Sequence, residues 1–281
     1  MNRVNLFDYN FRDCPCSVFG KTPRKIEYVR EQMNWDGMTI FTDEYINNPI
    51  VDNVRSKYKI GWLHEPYCLH PTTYHRAVTN ADKFDLILTY YKPFLSLPGF
   101  EFAPCCGIWV PRENWGIKPK TKLLSMLYGA KMATEGHRFR HILGDALEIA
   151  GAEVDFFDAK GTPTVYGWET KMMVLEDYRF TIVVEACNED NNFGEPILDA
   201  FSLGTVPIQW GCPNVGEFFD IGGILKFETV DQLLELIGGL TPELYESMMP
   251  SIGRNLELVE HYEITEDWIY DYVLHGRFLP G

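Results

Sequence analysis

A chain of 281 residues, 46% of them apolar, exceeds the usual single domain and can bury two cores of about 120 to 150 residues each. A formal net charge of −15 argues against a nucleic-acid partner, because binders of phosphate backbones present basic faces, and seven cysteines without a CxxC pair argue for reduced thiols over a disulfide framework. No apolar run approaches the roughly 20 residues of a membrane span, and Met1 leads into a strand-like segment instead of a signal peptide, so no membrane span and a soluble, cytoplasmic protein are expected.

In chain order, residues 4–9 read as a strand, 23–35 as a helix and 38–41 as a second strand. A third, 60–63, runs into His64-Glu65-Pro66-Tyr67, where the proline halts regular structure and leaves His64 and Glu65 at a strand's carboxyl end. Residues 84–89 form a near-continuous apolar strand of the kind buried in parallel sheets, and 100–103 another. A stretch with two prolines and a glycine, 111–120, marks a domain boundary. A second series then begins: strand 123–128, helix 137–150, strand 154–157 and a short helix over 170–177. After the central stretch described next come a strand at 224–227, helices over 230–237 and 242–261, and a closing helix at 268–274. Strands alternating with helices predict an α/β protein with parallel, doubly wound sheets. No G-x-G-x-x-G follows a strand, which sets aside a nicotinamide dehydrogenase.

Residues 178–211, YRFTIVVEACNEDNNFGEPILDAFSLGTVPIQWG, organise the rest. They read as strand, polar loop, helix and strand, with Glu195 and Pro196 delivered to the helix start, where proline costs no donor and free N–H groups favour an anion. On pattern alone this is equally an ordinary αβ unit whose Glu195 is a favourable first-turn acid.

The order of aromatic-rich strand, Glu185, polar loop, Glu195, the helix LDAFSLG and then VPIQWG resembles the signature of the α1,3/α1,4-fucosyltransferases, glycosyltransferase family 10. Tyr178, Phe180, Glu185, Glu195, Gly204, Val206, Pro207 and Gly211 carry the match. Exostosin-type glycosyltransferases, with a comparable helix followed by G-x-x-P-V-I, are the second match. LHEP with Tyr74, KFDLILTY, FAPCCGIWV and the His137-Arg138-Phe139-Arg140 helix start extend the likeness over about residues 60 to 213. Two positions depart from the family. Its asparagine after the first glutamate is Ala186 here, and its lysine after the second, which helps to hold the donor diphosphate, is Pro196.

The resemblance implies a GT-B fold, two Rossmann-like domains facing across a cleft. Residues 1–115 would bind the acceptor and 116–281 the nucleotide sugar, with the last helix crossing back. It further implies inverting, metal-independent transfer of a sugar to a glycan acceptor, with fucose from GDP-fucose as the first choice of donor and no cofactor. An exostosin-like transferase using another donor such as UDP-xylose is one alternative, and a non-catalytic nucleotide- or glycan-binding protein the other.

Inverting transfer needs a group to take the acceptor's proton and positive charge or N–H groups at the departing diphosphate. Glu65 is the expected base, both from its place at a strand end and because the family's proposed base is a glutamate in the corresponding region; His64 competes. Arg138, Arg140 and Lys131, at or before a helix start, are candidates for the diphosphate, with Tyr178 and Arg179 further candidates at the entry to the Glu185 strand. Glu195 is expected to accept hydrogen bonds from the donor ribose, with Glu185 and Asn188 lining the same pocket. Trp109, Trp115 and Trp210 are sugar platforms or core residues. No metal is expected: there is no Asp-x-Asp, Asp155 and Asp158 are spaced too widely, and Cys14, Cys16, Cys105 and Cys106 lack paired zinc-ligand spacing.

Overall fold

The computed structural model describes residues 1–158 and 160–279. The chain forms two compact units, Met1–Gly107 joined by the chain from Ile264 onward, and Ile108–Glu263.

The first unit holds β1 (Asn2–Phe7), β2 (Ile26–Arg30), β3 (Asn34–Thr42), β4 (Arg55–Leu63), β5 (Leu86–Thr89) and β6 (Phe100–Phe102), with helices α1 (Ile50–Asn53) and α2 (Pro71–Thr79). Every pairing is parallel, in the order β2-β1-β3-β4-β5-β6. Because strand side chains alternate faces, Val4, Leu6, Met38, Ile40, Ile60, Trp62, Leu86 and Leu88 enter one apolar core. Their neighbours Phe7, Phe41, Leu63 and Ile87 enter the other, together with Tyr74 and Ala77 of α2.

The helix expected over 23–35 is not formed. Ile26–Arg30 is strand β2, paired with β1, and the next strand already begins at Asn34. The Ile26-Glu27-Tyr28 sequence alternates in burial as a strand does, and Glu31, at φ 57°, ends the run in the left-handed region.

The second unit is built from β7 (Lys122–Tyr128), α3 (Glu135–Ile149), β8 (Asp155–Asp158), α4 (Trp168–Leu175), β9 (Tyr178–Val184), α5 (Glu195–Ser202), β10 (Val206–Trp210) and β11 (Leu225–Lys226). Helices α6 (Val230–Gly238), α7 (Pro242–Ser247) and α8 (Met249–Leu258) complete it. Its sheet is again wholly parallel, ordered β11-β10-β9-β7-β8. The single helix expected over 242–261 is divided: α7 ends at Ser247 and α8 starts with Pro250 in its first turn. Proline supplies no N–H and disfavours a helical residue before it, so the chain restarts there. Trp210 is buried in the core against Phe139, with ring centroids 5.0 Å apart, which rules it out as a sugar platform.

The chain then returns to the first unit as α9 (Thr265–Ile269), which widens into a π-helical turn over Tyr270–Leu274. Ile269, Tyr270, Val273 and Leu274 pack on the face of the first sheet that carries Val4 and Ile60. Among the described residues no helix is long and apolar enough to cross a membrane.

Lys120 precedes β7 with its ammonium buried. It donates to the carbonyls of Leu175, Glu176 and Leu203 and to Thr205 Oγ1 at 2.9–3.1 Å, tying the end of α4 to the α5–β10 turn. Lys120→Met would orphan these acceptors, and chemical denaturation should show a loss of at least about 2 kcal/mol with an unchanged m-value.

Candidate functional site

Both sheets share one strand pattern. Counting within each sheet, the order is 2-1-3-4-5-6 in the first and 2-1-3-4-5 in the second, so the direction of winding reverses between β1 and β3 in the first and between β7 and β9 in the second. Open parallel sheets bind ligands beyond the carboxyl ends of strands at such reversals.

In the second unit, β9 ends at Val184 and places Glu185 at its reversal point, only 4% exposed. Two glycines make room for it. A Cβ at Gly136, in the first turn of α3, would collide with the Glu185 carbonyl oxygen, and one at Gly211 would come within 2.7 Å of the Glu185 Cβ. Gly211 also stands at φ 104°, a conformation that side chains resist. The Gly136 N–H donates to the Ala186 carbonyl at 3.0 Å, so the start of α3 is bonded to the end of β9.

Around Glu185 lie four charged groups from three helices. Arg140 of α3 donates to the Val184 carbonyl at 3.2 Å and interacts electrostatically with Glu185 and Glu195. Lys171 of α4, its side chain 6% exposed, has its ammonium 3.6 Å from both Glu195 Oε1 and Asp199 Oδ2 and 5.0 Å from the centre of the Trp109 ring. Asp199 is fully buried in α5; its Oδ1 accepts from the N–H groups of Trp109 and Val110, while Oδ2 has no hydrogen-bond partner among the described residues. Glu195, at the start of α5, keeps 28% of its side chain exposed.

Burial pushes the Glu185 carboxyl up to about 8, opposed by a hydrogen bond from the Gly194 N–H and by Arg140 and Lys171, while the Glu195 charge adds to the rise. Its Oε1 has no hydrogen-bond partner among the described residues. Burial likewise raises Asp199 to about 6, against the pull of Lys171 and the two N–H groups. At neutral pH the site therefore presents a protonated carboxyl able to donate, a partly exposed carboxylate able to accept, and two cations. Such a set can hold a diol beside an anion.

In the first unit, the carboxyl ends of β1, β3 and β4 bring together Asp8, Asp43, His64 and Glu65. Asp8 caps its own loop, accepting from Asn10 N, Phe11 N and Thr42 Oγ1. Glu65 is 30% exposed with His64 Nδ1 3.9 Å from its Oε1. His64 packs edge-on against Trp62, at 4.9 Å, and beside Phe11; burial lowers its pKa below 6.5, so the imidazole is neutral at pH 7.

The remaining expected residues fall in different places. Arg138 is exposed, and its guanidinium turns back to the carbonyls of Met132 and Ala133, while Arg140 faces Glu185. Lys131 is exposed in the loop before α3. Asn188 is exposed and donates to Glu228 at 3.2 Å. Tyr178 begins β9, the end opposite Glu185, where its hydroxyl donates to Asp155 at 2.6 Å; seven strand residues put it about 20 Å from the site. Arg179 lies at the same end, donating to the Lys122 carbonyl. Trp115 donates to the Val110 carbonyl and carries the Arg112 guanidinium over its ring. Lys171 and Asp199 escaped the sequence reading because no local motif links position 171 to position 195; only the packing of α4 on α5 does. Gly136 offered a signal, since a glycine in a helix's first turn after Thr134 suggests close backbone approach.

No protein-family model and no curated protein matches the sequence. Solved structures match its fold. An α1,3-fucosyltransferase with GDP-fucose superposes with a TM-score of 0.58 over 93% of this chain and 90% of that one, at 12% identity. The fold is that of the GT-B glycosyltransferases. TarM, at a TM-score of 0.55 and 12% identity, aligns over 84% of this chain and 54% of its own. An α-glucosyltransferase in complex with UDP-glucose and DNA aligns at 0.53 and 12% identity over 82% and 77%.

The pH dependence of this GT-B chain's stability gives a check on Glu185. A carboxyl whose folded pKa is raised from 4.5 to about 8 binds a proton more tightly in the folded state. Its contribution is complete below pH 4.5 and is lost as pH rises through 8, at up to about 1.4 kcal/mol per pH unit. Glu185→Gln should flatten that decline between pH 5 and 8 in denaturant titrations; a decline identical to wild type would place the titrating proton elsewhere.

Proposed function

We propose that this chain is a nucleotide-sugar-dependent glycosyltransferase whose second unit binds the donor and whose first unit binds a glycan acceptor and supplies the base. The observation that carries the reading is the cluster of Glu185, Arg140, Lys171 and Glu195 at the reversal of the second sheet, on a fold whose solved neighbours include proteins with GDP-fucose and with UDP-glucose. Glu195 accepts hydrogen bonds from the donor ribose, and protonated Glu185 donates to an oxygen of the same ligand. Arg140 and Lys171 face the diphosphate, with Arg140 filling the role that the sequence left between it and Arg138. Lys171 brings from α4 the positive charge that Pro196 does not supply on α5.

In the transfer step, Glu65 takes the proton of the acceptor hydroxyl as that oxygen attacks the anomeric carbon from the face opposite the leaving group. The bond from that carbon to the diphosphate breaks, its electron pair leaves with the nucleotide, and the anomeric configuration inverts. Side-chain cations meet the charge that develops on the diphosphate, so the proposal includes no metal. Fucose from GDP-fucose is the first choice of donor, on the resemblance of residues 178–211; UDP-xylose and other nucleotide sugars are the alternatives.

A thermal-shift panel of nucleotide sugars tests the donor, since only a ligand that favours the folded state raises the melting point. Glu195→Ala should weaken binding of the sugar nucleotide found in that panel by about 1 to 3 kcal/mol, the cost of losing a charge-assisted partner. Unchanged affinity by calorimetry would remove Glu195 from the site. Glu65→Gln should keep donor affinity and reduce turnover by about 10² to 10⁴. Turnover kept in His64→Gln and lost in Glu65→Gln fits a carboxylate base, whereas the reverse pattern would assign the step to His64. A rate abolished by chelator would reject the metal-free step.

A further inference from the structure

Glu65 lies two residues past the end of β4, on a turn that four side-chain bonds fasten. Asp43, one residue past the end of β3, accepts from both the His64 N–H at 2.9 Å and the Glu65 N–H at 3.1 Å through a single oxygen, Oδ1. Its other oxygen accepts from Asn10 Nδ2 at 2.8 Å, which links the turn to the loop after β1. From the opposite side, the buried Tyr74 hydroxyl donates to the Glu65 carbonyl at 2.8 Å, and the buried Tyr90 hydroxyl accepts from the Tyr67 N–H at 2.7 Å. Both polar atoms of the Glu65 peptide backbone are thus held by side chains.

Asp43 does this under unfavourable conditions. It is 1% exposed, so its carboxyl loses hydration, and it sits at φ 42°, in the left-handed region that costs a residue with a side chain about 1 kcal/mol or more. Backbone geometry alone would be better served by glycine. Two buried N–H groups at a strand end could also be met by water or by a neutral amide. What this buried, strained side chain holds is the start of the turn that carries the candidate base.

We propose that Asp43, with Tyr74, is a positioning residue for Glu65. It fixes the turn so that the Glu65 carboxylate meets the acceptor hydroxyl in one orientation. The inference rests on the assignment of Glu65 as base. Neither residue touches substrate in this role; both act through the Glu65 backbone.

Asp43→Gly removes the carboxylate while relieving the backbone, so it separates the two roles. Each variant is assayed with GDP-fucose or UDP-xylose, according to which the wild type turns over, beside Glu65→Gln and an amide-exchange measurement. Positioning predicts that Asp43→Gly keeps its melting temperature and donor KM, loses kcat by about 10- to 100-fold, and speeds amide exchange at His64 and Glu65. Asp43→Asn, which retains an oxygen for the two N–H groups, should recover most of the kcat. Wild-type kcat in Asp43→Gly alongside a large loss in Glu65→Gln would overturn the positioning role and leave the base in place. Wild-type kcat in Glu65→Gln would remove the base and the positioning role with it. If Asp43→Gly does not fold, Tyr74→Phe decides: a kcat lowered at unchanged donor KM supports the role, and an unchanged kcat overturns it.

Discussion

Burial of both faces of a parallel sheet is the constraint on which the first unit depends. In most parallel sheets the crossover helices meet it. Here the connections from β1 to β2 and from β2 to β3 hold no helix, so the face bearing Val4, Ile40 and Ile60 receives only loop residues such as Phe11 from its own neighbourhood in sequence. The helical cover comes from the far end of the chain. Ile269, Tyr270, Val273 and Leu274 fill that face, and two consecutive acids at the start of the returning segment fasten it. Glu266 accepts from Ser17 N at 2.7 Å, and Asp267 accepts from Arg24 N and Lys25 N at 2.8 and 3.0 Å. The same acids thereby supply hydrogen bonds to three N–H groups of the long connection between β1 and β2.

Beyond the carboxyl ends of both sheets lie buried and half-buried polar residues. The two edges differ in character. The first is a network of carboxylates holding backbone: Asp8 holds its own loop and Asp43 the turn of Glu65. The second also bonds backbone, through Asp199 and Arg140, but in addition its side chains pair with one another, with Lys171 between Glu195 and Asp199 and Arg140 beside Glu185. A backbone-holding network fixes the position of a group, whereas a cluster of partly compensated charges can exchange its internal partners for those of a ligand. This contrast suits a base on one unit and a charged ligand on the other.

The balance in the second cluster depends on close packing. Glu185 is forced into a space bounded by Gly136 and Gly211, and the resulting loss of hydration keeps its proton on at neutral pH. Without that proton, three carboxylates would face two cations. Glycine at both positions is therefore a steric requirement, since a Cβ at either would collide with Glu185.

Much of the architecture was determined by the sequence itself. The apolar strands at 60–63, 84–89, 123–128, 180–184 and 206–210 declare buried parallel strands by their lack of polar alternation, and Glu195 with Pro196 declares a helix start. These are local signals, set by side chains a few residues apart. The segment over 23–35 misleads for the same reason: its spacing is compatible with a helix, and only pairing with β1 makes it a strand. Tertiary structure alone decided which candidates meet. It set Arg140 toward Glu185 and Arg138 away from it, carried Tyr178 to the far end of its strand, and brought Lys171 to Glu195 across 24 residues of chain. Charge neutralisation at a buried site depends on distance in space, and sequence spacing encodes that distance only within a single helix or strand.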